Sequence, residues 1–347
     1  MEASTLTIPT LTFFNNKGGV GKTTLVYHLS WMFSELGVKT LVVDCDPQAN
    51  LTAAFLDELE LLKLWNPVDN TVPRTLYEAV RPLTKVSNYA LPVLEKINAN
   101  LYLLPGDLGL SAFEDELSED WTKAQGENTK DRAMLILSAI WRISQEKARE
   151  IGAALIVFDV GPNLGALNRS VLIGTDHIVV PLAADLFSLQ GLRNLGPALA
   201  SWRSGWNDRV QRIGNAVGEL PSGRAKPVGY IALQHQERLS RPIQAYVAWL
   251  ERMPGEYRQY LLGESASETT PSIREDDYCL ALLRHYKSLI PLAQEARKPV
   301  FKLKSADGAI GSHATAVSRA YDDFHALAEK ILTQIGIDPL YKQLILA

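Results

Sequence analysis

Two hydrophobic periods alternate along the chain. Near-continuous apolar runs occur at Leu11–Phe14, Thr40–Val43 and Leu155–Phe158, and each ends in a turn or in acidic residues. Thr23–Leu36 and Asp131–Ile151 instead repeat apolar residues every three to four positions. Continuous runs are typical of parallel strands covered on both faces, and the longer period is typical of amphipathic helices. The pattern predicts an α/β fold with a mostly parallel twisted sheet covered by helices on both faces.

The same pattern predicts further elements along the chain. Strands are predicted within Leu101–Gly106 and Val228–Gln234, and a strand, a loop and a helix capped by Ser188 are predicted within His177–Leu192. Helices are predicted at Leu108–Trp121, Ala245–Leu262, Asp276–Lys287 and Ala314–Gly336. Glycine and proline residues predict a long loop at Ser204–Pro227. We expect a single domain over residues 1–347, with an insertion or enlarged helical region at about 200–287.

A glycine-rich turn joins the first predicted strand to the first predicted helix. Gly18, Gly19 and Gly21 lack a Cβ atom, so the backbone can adopt positive φ and turn its N–H groups around a polyphosphate. Lys22 can reach the β- and γ-phosphates, and the Thr23 hydroxyl can hold Mg²⁺. Strand, glycine loop and helix in this order predict a nucleotide site. The alternative is a glycine turn with two solvated lysines.

Acidic residues end two of the other predicted strands. Asp44 and Asp46 follow the second strand, and Asp159 follows Leu155–Phe158. Ligands of open α/β sheets lie at the carboxyl ends of the strands, so we expect these carboxylates beside the glycine loop. Asp159 occupies the position of a carboxylate that polarises Mg²⁺. Alternatively, Asp44 and Asp46 cap the following helix, and Asp159 is only a strand-end acid.

The glycine loop also carries a more specific signal. Residues 17–24 read K-G-G-V-G-K-T-T, with Asn16 where an ordinary P-loop has glycine and a second lysine, Lys17, directly after it. This deviant Walker A signature resembles that of the ParA/MinD family of dimerising ATPases. The segments D-C-D-P-Q-A-N-L-T at 44–52 and S-L-I-P-L-A-Q-E-A-R-K-P-V-F at 288–301 are similar to other family signatures. The resemblance covers residues 11–52 and 153–196 best and 288–332 less closely.

This resemblance implies a slow ATPase switch that uses ATP and Mg²⁺. The implied nucleotide-binding residues are Lys17, Gly18, Gly19, Val20, Gly21, Lys22, Thr23 and Thr24. Lys17 would cross an ATP-dependent homodimer interface and act with Lys22, and Asp46 would position the attacking water. The implied metal-site residues are Thr23, Asp44, Asp46 and Asp159, of which Asp44 would support the metal shell. Val160 and Gly161 depart from the family's D-T-P-P or D-C-P-P, which leaves the details of that loop open.

ParA-like proteins bind DNA non-specifically in the ATP state when they partition plasmids or chromosomes or position cargo. The resemblance therefore implies DNA and a stimulating protein, ParB-like or other, as partners. The formal net charge of −4 does not mark the whole chain as a nucleic-acid binder, so DNA contacts would need a local basic patch. The candidate residues are Arg238, Arg241, Arg297, Lys298, Lys302 and Lys304. For the last four, the alternative is a solvated strand edge blunted with lysines.

Composition narrows the class of protein. Hydrophobic residues make up 46% and charged residues 21%, which is typical of a globular protein with a large core. The two cysteines, Cys45 and Cys279, form neither a disulfide framework nor a zinc pattern, and the six histidines have no metal-ligand spacing. No signal peptide, apolar membrane span or basic membrane-targeting tail is recognisable. We expect a cytoplasmic protein without membrane contact, associated with the nucleoid if it binds DNA.

Two other functions stay open from the sequence. The same ATP-dependent dimer could be a protein-binding module of a defence or regulatory complex, with residues 200–287 as the partner surface. A small-molecule P-loop ligase or kinase would need an acceptor pocket, for which the sequence offers no motif. No helix-turn-helix pattern precedes the glycine loop, so we expect no transcriptional regulation by that route.

Overall fold

One sheet forms the centre of the part of the chain that the computed structural model describes, which comprises residues 7–66, 72–85, 87–214, 216–234, 243–265, 270–286 and 288–339. The strands within those ranges are β1 (Thr10–Phe13), β2 (Thr40–Asp44), β3 (Glu95–Lys96), β4 (Leu101–Leu104), β5 (Leu155–Asp159), β6 (His177–Ala183), β7 (Lys226–Gln234) and β8 (Cys279–Arg284). Their order is β3-β4-β2-β5-β1-β6-β7-β8. Only the β3–β4 pairing among them is antiparallel.

Helices cover both faces of this sheet. The described helices are α1 (Lys22–Glu35), α2 (Asn50–Phe55), α3 (Glu58–Trp65), α4 (Leu76–Val80), α5 (Leu110–Lys123), α6 (Lys130–Ile151), α7 (Ala166–Ile173), α8 (Leu186–Ile213), α9 (Ile243–Tyr257), α10 (Ile290–Ala296) and α11 (Ser312–Gln334). Residues of α1 and α11 share one buried apolar cluster, and residues of α5 to α8 share the other. The predicted fold class is confirmed.

The central strands are apolar along their whole length because both faces are covered. All four residues of β1 and all five residues of β2 and of β5 are buried. In the register, Asp44 at the end of β2 lies opposite Asp159 at the end of β5. Since β2, β5 and β1 are neighbours, the loops that follow them meet at one edge of the sheet. This edge is where the sequence places its candidate chemistry.

Three local predictions were wrong. Residues 279–284 form β8 rather than part of a helix, because the run pairs in parallel with β7 and is half covered by α11. The loop predicted from Ser204 begins only after α8 ends at Ile213. Ser188 is not the cap of α8, since Asp185 holds that position and accepts a hydrogen bond from the Ser188 amide.

The stretch from 200 to 287 contributes two strands to the main sheet. β7 pairs with β6, and β8 pairs with β7, so the sheet continues without interruption into this half. Trp206 of α8 is fully buried and donates its indole N–H to the Pro221 carbonyl at 2.9 Å. The single-domain organisation stays a prediction. Within the described ranges, no helix combines the length and apolarity needed to cross a bilayer.

Candidate nucleotide-binding site

The glycine loop between β1 and α1 has the backbone shape that a phosphate cradle needs. Gly19 has φ 71° and Gly21 has φ 74°, both in the left-handed region that side chains disfavour. Gly21 is the N-cap of α1 and makes no side-chain cap, so the first amides of α1 stay available to an anion. The loop therefore turns a helix N-terminus toward the edge where the acidic strands end.

Lys22 is held inside the loop that it terminates. Its Nζ donates to the Asn15 carbonyl at 2.9 Å and to the Lys17 carbonyl at 3.1 Å. The side chain is only 7% exposed, and this burial lowers the pKa of Lys22, although Asp159 and Asp46 oppose the shift by their charge. The ammonium thus lies among two carboxylates and the loop carbonyls, where it can meet a phosphate.

Asp159 differs from the other acids of the site in its burial and its hydrogen bonding. It is fully buried, and neither of its carboxylate oxygens has a hydrogen-bond partner within the described residues. Burial and the charge of Asp44 raise the pKa of Asp159 well above its usual range, and the nearby Thr23 side chain opposes that shift. A buried carboxylate without a partner requires a compensating cation. Asp159 with the Thr23 hydroxyl therefore fits a Mg²⁺ ion that accompanies a polyphosphate.

Asp44 is committed to structure by two hydrogen bonds to one residue. Its Oδ2 accepts the Thr52 amide at 2.8 Å and the Thr52 hydroxyl at 2.7 Å. The Thr52 hydroxyl also accepts the Gly106 amide at 2.9 Å. Burial raises the pKa of Asp44 to about 6, against these hydrogen bonds. Asp44 is thus held by Thr52, and its role in supporting the metal shell stays a prediction.

Asp46 lies at the entrance of the site. It is 8% exposed, and its Oδ1 accepts the Gln48 amide at 3.0 Å. A Cβ atom at Gly161 would lie 3.5 Å from Asp46 Oδ1, so the loop after β5 passes beside this carboxylate. Asp46, Gln48 and the glycine loop line one cavity. This position suits a carboxylate that orients a water molecule, and that role of Asp46 stays a prediction.

A buried asparagine fixes the loop after β5. Asn168 of α7 donates its side-chain amide to the carbonyls of Gly161 and Asn163 at 2.9 and 2.8 Å. It is 2% exposed, so these contacts are not shared with bulk water. The sequence left the behaviour of Val160 and Gly161 open, and the structure supplies Asn168 as their anchor. Nothing in the local sequence pattern marks Asn168.

Lys17 forms an ion pair within its own chain. Its Nζ contacts Asp185 Oδ2 at the N-terminus of α8, and both side chains are about one-third exposed. Although partial burial opposes it, Lys17 and the Ser188 amide hold the pKa of Asp185 below its usual range. The exposed side chains of Leu186 and Phe187 follow directly. Lys17 thus stands at the rim of the site, beside an apolar surface.

The asparagines of the loop explain a glycine on α8. Asn15 donates its side-chain amide to the Pro181 carbonyl at 2.8 Å and accepts the Lys17 amide at 3.0 Å. A Cβ atom at Gly191 would lie 2.6 Å from Asn15 Oδ1 and 2.7 Å from Asn16 Oδ1. Such distances are not tolerated, so α8 can approach the loop only with glycine at 191. Asn16 therefore takes part in packing where other P-loops carry glycine.

Two cavities meet at the glycine loop. The larger, about 730 Å³, is lined by Gly18, Gly19, Gly21, Lys22, Thr23 and Thr24, together with residues of α1, α2 and α10. The second, about 330 Å³, has apolar walls from β7, β8, α10 and α11, including Leu233, Leu283 and Phe324. Thr24 lines both, and the largely buried Val20 lines the second. Together they offer a polar pocket for phosphates and an apolar pocket for a ring.

The candidate DNA residues are not gathered into one open stripe. Lys298 pairs with Asp307 at 2.7 Å, and Lys302 pairs with Glu35 at 2.5 Å. Arg297 lines the larger cavity, and Lys304 is exposed. The segment is a helix end followed by a short 3₁₀ turn at 300–302 rather than a strand edge. Arg238 and Arg241 lie outside the described residues, so DNA binding stays a prediction.

The site as a whole defines the class of protein. A phosphate loop at a helix N-terminus, an ammonium inside it and a buried carboxylate at the end of β5 are the parts of a P-loop nucleotide-binding site. Within the described ranges, no three His, Cys, Asp or Glu side chains form a preformed metal centre. A metal ion here would depend on few protein ligands and on the nucleotide, as Mg²⁺ does.

Comparison with known proteins places the chain in a family. The family model described as "AAA domain" matches residues 8–211, more than half of the chain. The chain therefore belongs to this family, the ParA/MinD-like P-loop ATPases, as the loop signature indicates.

Individual relatives agree with this assignment. The chain is 28% identical over 198 residues to the chromosome-partitioning ATPase Soj of Treponema pallidum, covering 57% of this chain and 66% of Soj. It is 30% identical over 202 residues to the cell division protein PomZ of Myxococcus xanthus, covering 58% of this chain and 54% of PomZ. The chain thus matches less than two-thirds of the length of either relative. A solved Corynebacterium diphtheriae protein has the same fold, with a TM-score of 0.65, 23% identity and coverage of 94% and 99%.

Proposed function

We propose that this chain is an ATPase switch of the ParA type. It binds ATP with Mg²⁺, closes into a homodimer and hydrolyses the nucleotide slowly. The observation that carries the proposal is the position of Lys22 in one cavity with Asp46 and close to Asp159, whose carboxylate has no hydrogen-bond partner among the described residues. The names of the related Soj and PomZ proteins, a chromosome-partitioning ATPase and a cell division protein, support a role in partitioning DNA or positioning cargo.

The residues of the chain divide the work of such a site. ATP bound with Mg²⁺ supplies the γ-phosphoryl group, which is transferred to water as ADP is released. Lys22 and the first amides of α1 hold the phosphate oxygens and neutralise their charge. Thr23 and Asp159 hold the cation, and Asp46 orients the attacking water at the entrance. Because catalysis by such a site is positioning and charge neutralisation, an incompletely assembled site is slow.

Dimerisation would complete the site. Lys17 lies at the rim, on a flexible side chain that reaches Asp185 in its own chain. In the proposed homodimer Lys17 leaves that carboxylate and contacts the nucleotide of the second copy. The exposed Leu186 and Phe187 beside it supply apolar area for the contact. A stimulating partner protein, ParB-like or other, would raise turnover by stabilising the closed arrangement.

DNA binding by the ATP dimer is the least supported part of the proposal. A dimer presents two copies of each basic surface residue. Weak phosphate contacts from the two copies can therefore add up to salt-sensitive DNA binding. Lys298 and Lys302 are already paired with acids. The remaining candidates are Arg297 and Lys304, together with Arg238 and Arg241, which lie outside the described residues. The protein would be cytoplasmic, and nucleoid-associated if this binding holds.

The ion pairs of Lys298 and Lys302 favour a second candidate function. With Lys298 and Lys302 in ion pairs, the same ATP-dependent dimer could serve as a protein-binding module without a DNA step. Its partner would then belong to a defence or regulatory complex.

Steady-state ATP turnover, titrated with random-sequence double-stranded DNA at low and moderate salt, tests the proposal. We expect slow, Mg²⁺-dependent turnover that DNA stimulates and salt suppresses. ATP turnover that DNA does not change would favour the protein-binding module over a role in DNA partitioning. A Lys22→Ala variant is the control, and turnover as in the wild type would contradict the assignment of the P-loop.

A further inference from the structure

The loop after β5, residues 160–164, forms part of the wall of the nucleotide cavity. Val160 and Pro162 line the larger cavity together with Asp46. A Cβ atom at Gly161 would lie 3.5 to 3.7 Å from the atoms of the Asp46 carboxyl group, so the Gly161 backbone passes directly beside it. In the proposed function this carboxylate orients the attacking water. The loop after β5 therefore bounds the space in which that water would lie.

The same loop also reaches the glycine loop. Pro162 Cγ would lie 4.0 Å from a Cβ atom at Gly18, which is an ordinary van der Waals distance. The loop begins directly after Asp159, the proposed ligand of the cation. Its backbone thus runs from the cation ligand past Asp46 to the phosphate loop. A displacement of this backbone would change the geometry around all three.

One side chain holds the backbone of this loop. Asn168 Nδ2 donates to the carbonyls of Gly161 and Asn163 at 2.9 and 2.8 Å and approaches Asn163 Oδ1 at 3.0 Å. Asn163 Oδ1 also accepts the Gly165 amide at 2.9 Å, at the N-cap of α7. Asn168 is 2% exposed, and the loss of hydrogen bonds at a buried group is costly. The loop is therefore tied to α7 through a single amide.

The helix that carries this amide is itself fixed. Ser170, two residues after Asn168, donates its hydroxyl to the Leu137 carbonyl of α6 at 2.8 Å in a buried contact. Arg169 places its guanidinium 4.2 Å from the centre of the Trp121 ring of α5, in a cation–π contact. α7 is thus attached to two neighbouring helices beside Asn168. It provides a firm base from which Asn168 holds the loop.

We propose that Asn168 is a positioning residue for ATP turnover, which holds the loop after β5 in place beside Asp46. The inference rests on the proposed function, because it takes hydrolysis at the glycine loop as the reaction. Asn168 is not part of the wall of the larger cavity, so it acts through the loop and not on the nucleotide. Nucleotide binding depends instead on Lys22 and the first amides of α1. Loss of Asn168 should therefore lower turnover and leave ATP affinity intact.

The test compares two alanine variants of α7. Asn168→Ala removes the donor that holds the loop. Ser170→Ala is the matched control, because it also removes a buried polar group of α7, but one that contacts α6 and not the loop. Both variants should have a lower melting temperature. In Asn168→Ala we expect kcat for ATP to fall about tenfold, with ATP affinity by calorimetric titration within about twofold of the wild type. Ser170→Ala should keep both values.

Hydrogen exchange of the ligand-free full-length chain gives a readout that does not depend on turnover. Peptides that cover residues 160–165 should exchange faster in Asn168→Ala than in the wild type and at the wild-type rate in Ser170→Ala. Asn163→Ala changes an exposed residue, so it keeps the fold if Asn168→Ala does not. It removes one acceptor of the tie and should lower kcat by a smaller factor.

Wild-type kcat in either asparagine variant would overturn the inference while leaving the proposed function intact. A loss of kcat that Ser170→Ala shares would assign the effect to general destabilisation and overturn it as well. A parallel loss of ATP affinity in Asn168→Ala would place Asn168 in nucleotide binding and contradict a positioning role. Wild-type protein without ATP turnover would overturn both the inference and the proposed function.

Discussion

Lys17 and Asp185, which lie 168 residues apart in the chain, form an ion pair at the rim of the nucleotide site. The pair joins the glycine loop to the N-terminus of α8, where Asp185 also caps the helix. A lysine held by its own chain has to be released before it can contact a second copy. The contact therefore sets a small barrier against dimerisation in the proposed function.

Asp185→Asn should lower that barrier. Asparagine is as good an N-cap as aspartate, so α8 should begin where it does now, while the charge that holds Lys17 is lost. A partly exposed ion pair contributes at most about 1 kcal/mol, and each of the two copies would release one pair, so we expect the ATP-dependent dimer to bind up to about thirtyfold tighter. Sedimentation equilibrium with ATP and Mg²⁺ measures this. A dimer no tighter than the wild type would show that the pair does not oppose dimerisation, and Lys17→Ala with Asp185→Asn should show no gain.

Asp159→Asn should separate stability from nucleotide binding. In the ligand-free protein the buried Asp159 carboxylate has no hydrogen-bond partner among the described residues, so removing its charge should raise the free energy of unfolding by about 1 kcal/mol. A carboxyl whose pKa is raised by folding destabilises the protein as pH rises, so the gain should be larger at pH 8 than at pH 5. Urea unfolding at both pH values tests this.

The same variant should lose Mg²⁺-dependent ATP binding, since the amide cannot hold the cation. Calorimetric titration with ATP in the presence and absence of Mg²⁺ provides the second readout. Stability below that of the wild type, together with unchanged binding, would contradict the role given to Asp159.

Gly106→Ala should disturb the residues that support Asp44 at the nucleotide site. A Cβ atom at this position would lie 2.8 Å from the Asp44 backbone oxygen, and the Gly106 amide would be displaced from Thr52. We expect a loss of about 2 kcal/mol in the free energy of unfolding, together with slower ATP turnover. Gly255→Ala in α9 is the matched control, because its Cβ atom would lie 3.6 Å from the Thr270 side chain, an ordinary contact distance. Equal stability of the two variants would contradict the packing described for Gly106.

His28 should make the protein sensitive to mild acid. It is buried in α1, with Nδ1 donating to the Thr24 carbonyl at 2.7 Å and Nε2 accepting the Val300 amide at 3.1 Å, which describes a neutral ring. Burial lowers the pKa of His28 to about 4 from 6.5. Since the unfolded chain takes up the proton first, stability should fall as pH drops below 6.5, by about 2 kcal/mol between pH 7 and pH 5.

Urea unfolding at pH 7 and pH 5 measures this dependence, and His28→Gln should reduce it. His313→Gln serves as the matched control because His313 takes no part in these contacts. An identical pH dependence in the His28 variant would assign the acid sensitivity to other groups.

The sequence predicted the parts of the site that depend on short-range order. Gly18 to Thr24 lie together in the chain, so their spacing alone predicts the loop, and the continuous apolar runs predict which strands end beside it. Contacts between distant segments were not predictable in this way. The contact of Asp185 with Lys17 depends on the pairing of β1 with β6. Thr52 with Asp44 and Asn168 with Gly161 are only 8 and 7 residues apart, but they depend on the path of the loops that follow β2 and β5.

The errors in secondary structure have a similar origin. Cys279–Arg284 is a short apolar run whose period fits a helix or a strand, and pairing with β7 decides the outcome. Ser188 has a residue type that favours caps, but Asp185 is one turn earlier and takes the position. In both cases the local preference of the residues was outweighed by contacts with neighbouring residues, which local sequence patterns do not specify.

The central claim is that ATP joins two copies of this chain. The Asp46→Ala variant should bind ATP without hydrolysing it. Its ATP-bound dimer should therefore persist long enough for its molar mass to be measured. Light scattering after size exclusion should give a dimer mass with ATP and Mg²⁺, a monomer mass with ADP, and a monomer mass with ATP when Lys17→Ala is added. A monomer mass for Asp46→Ala at saturating ATP would contradict the account.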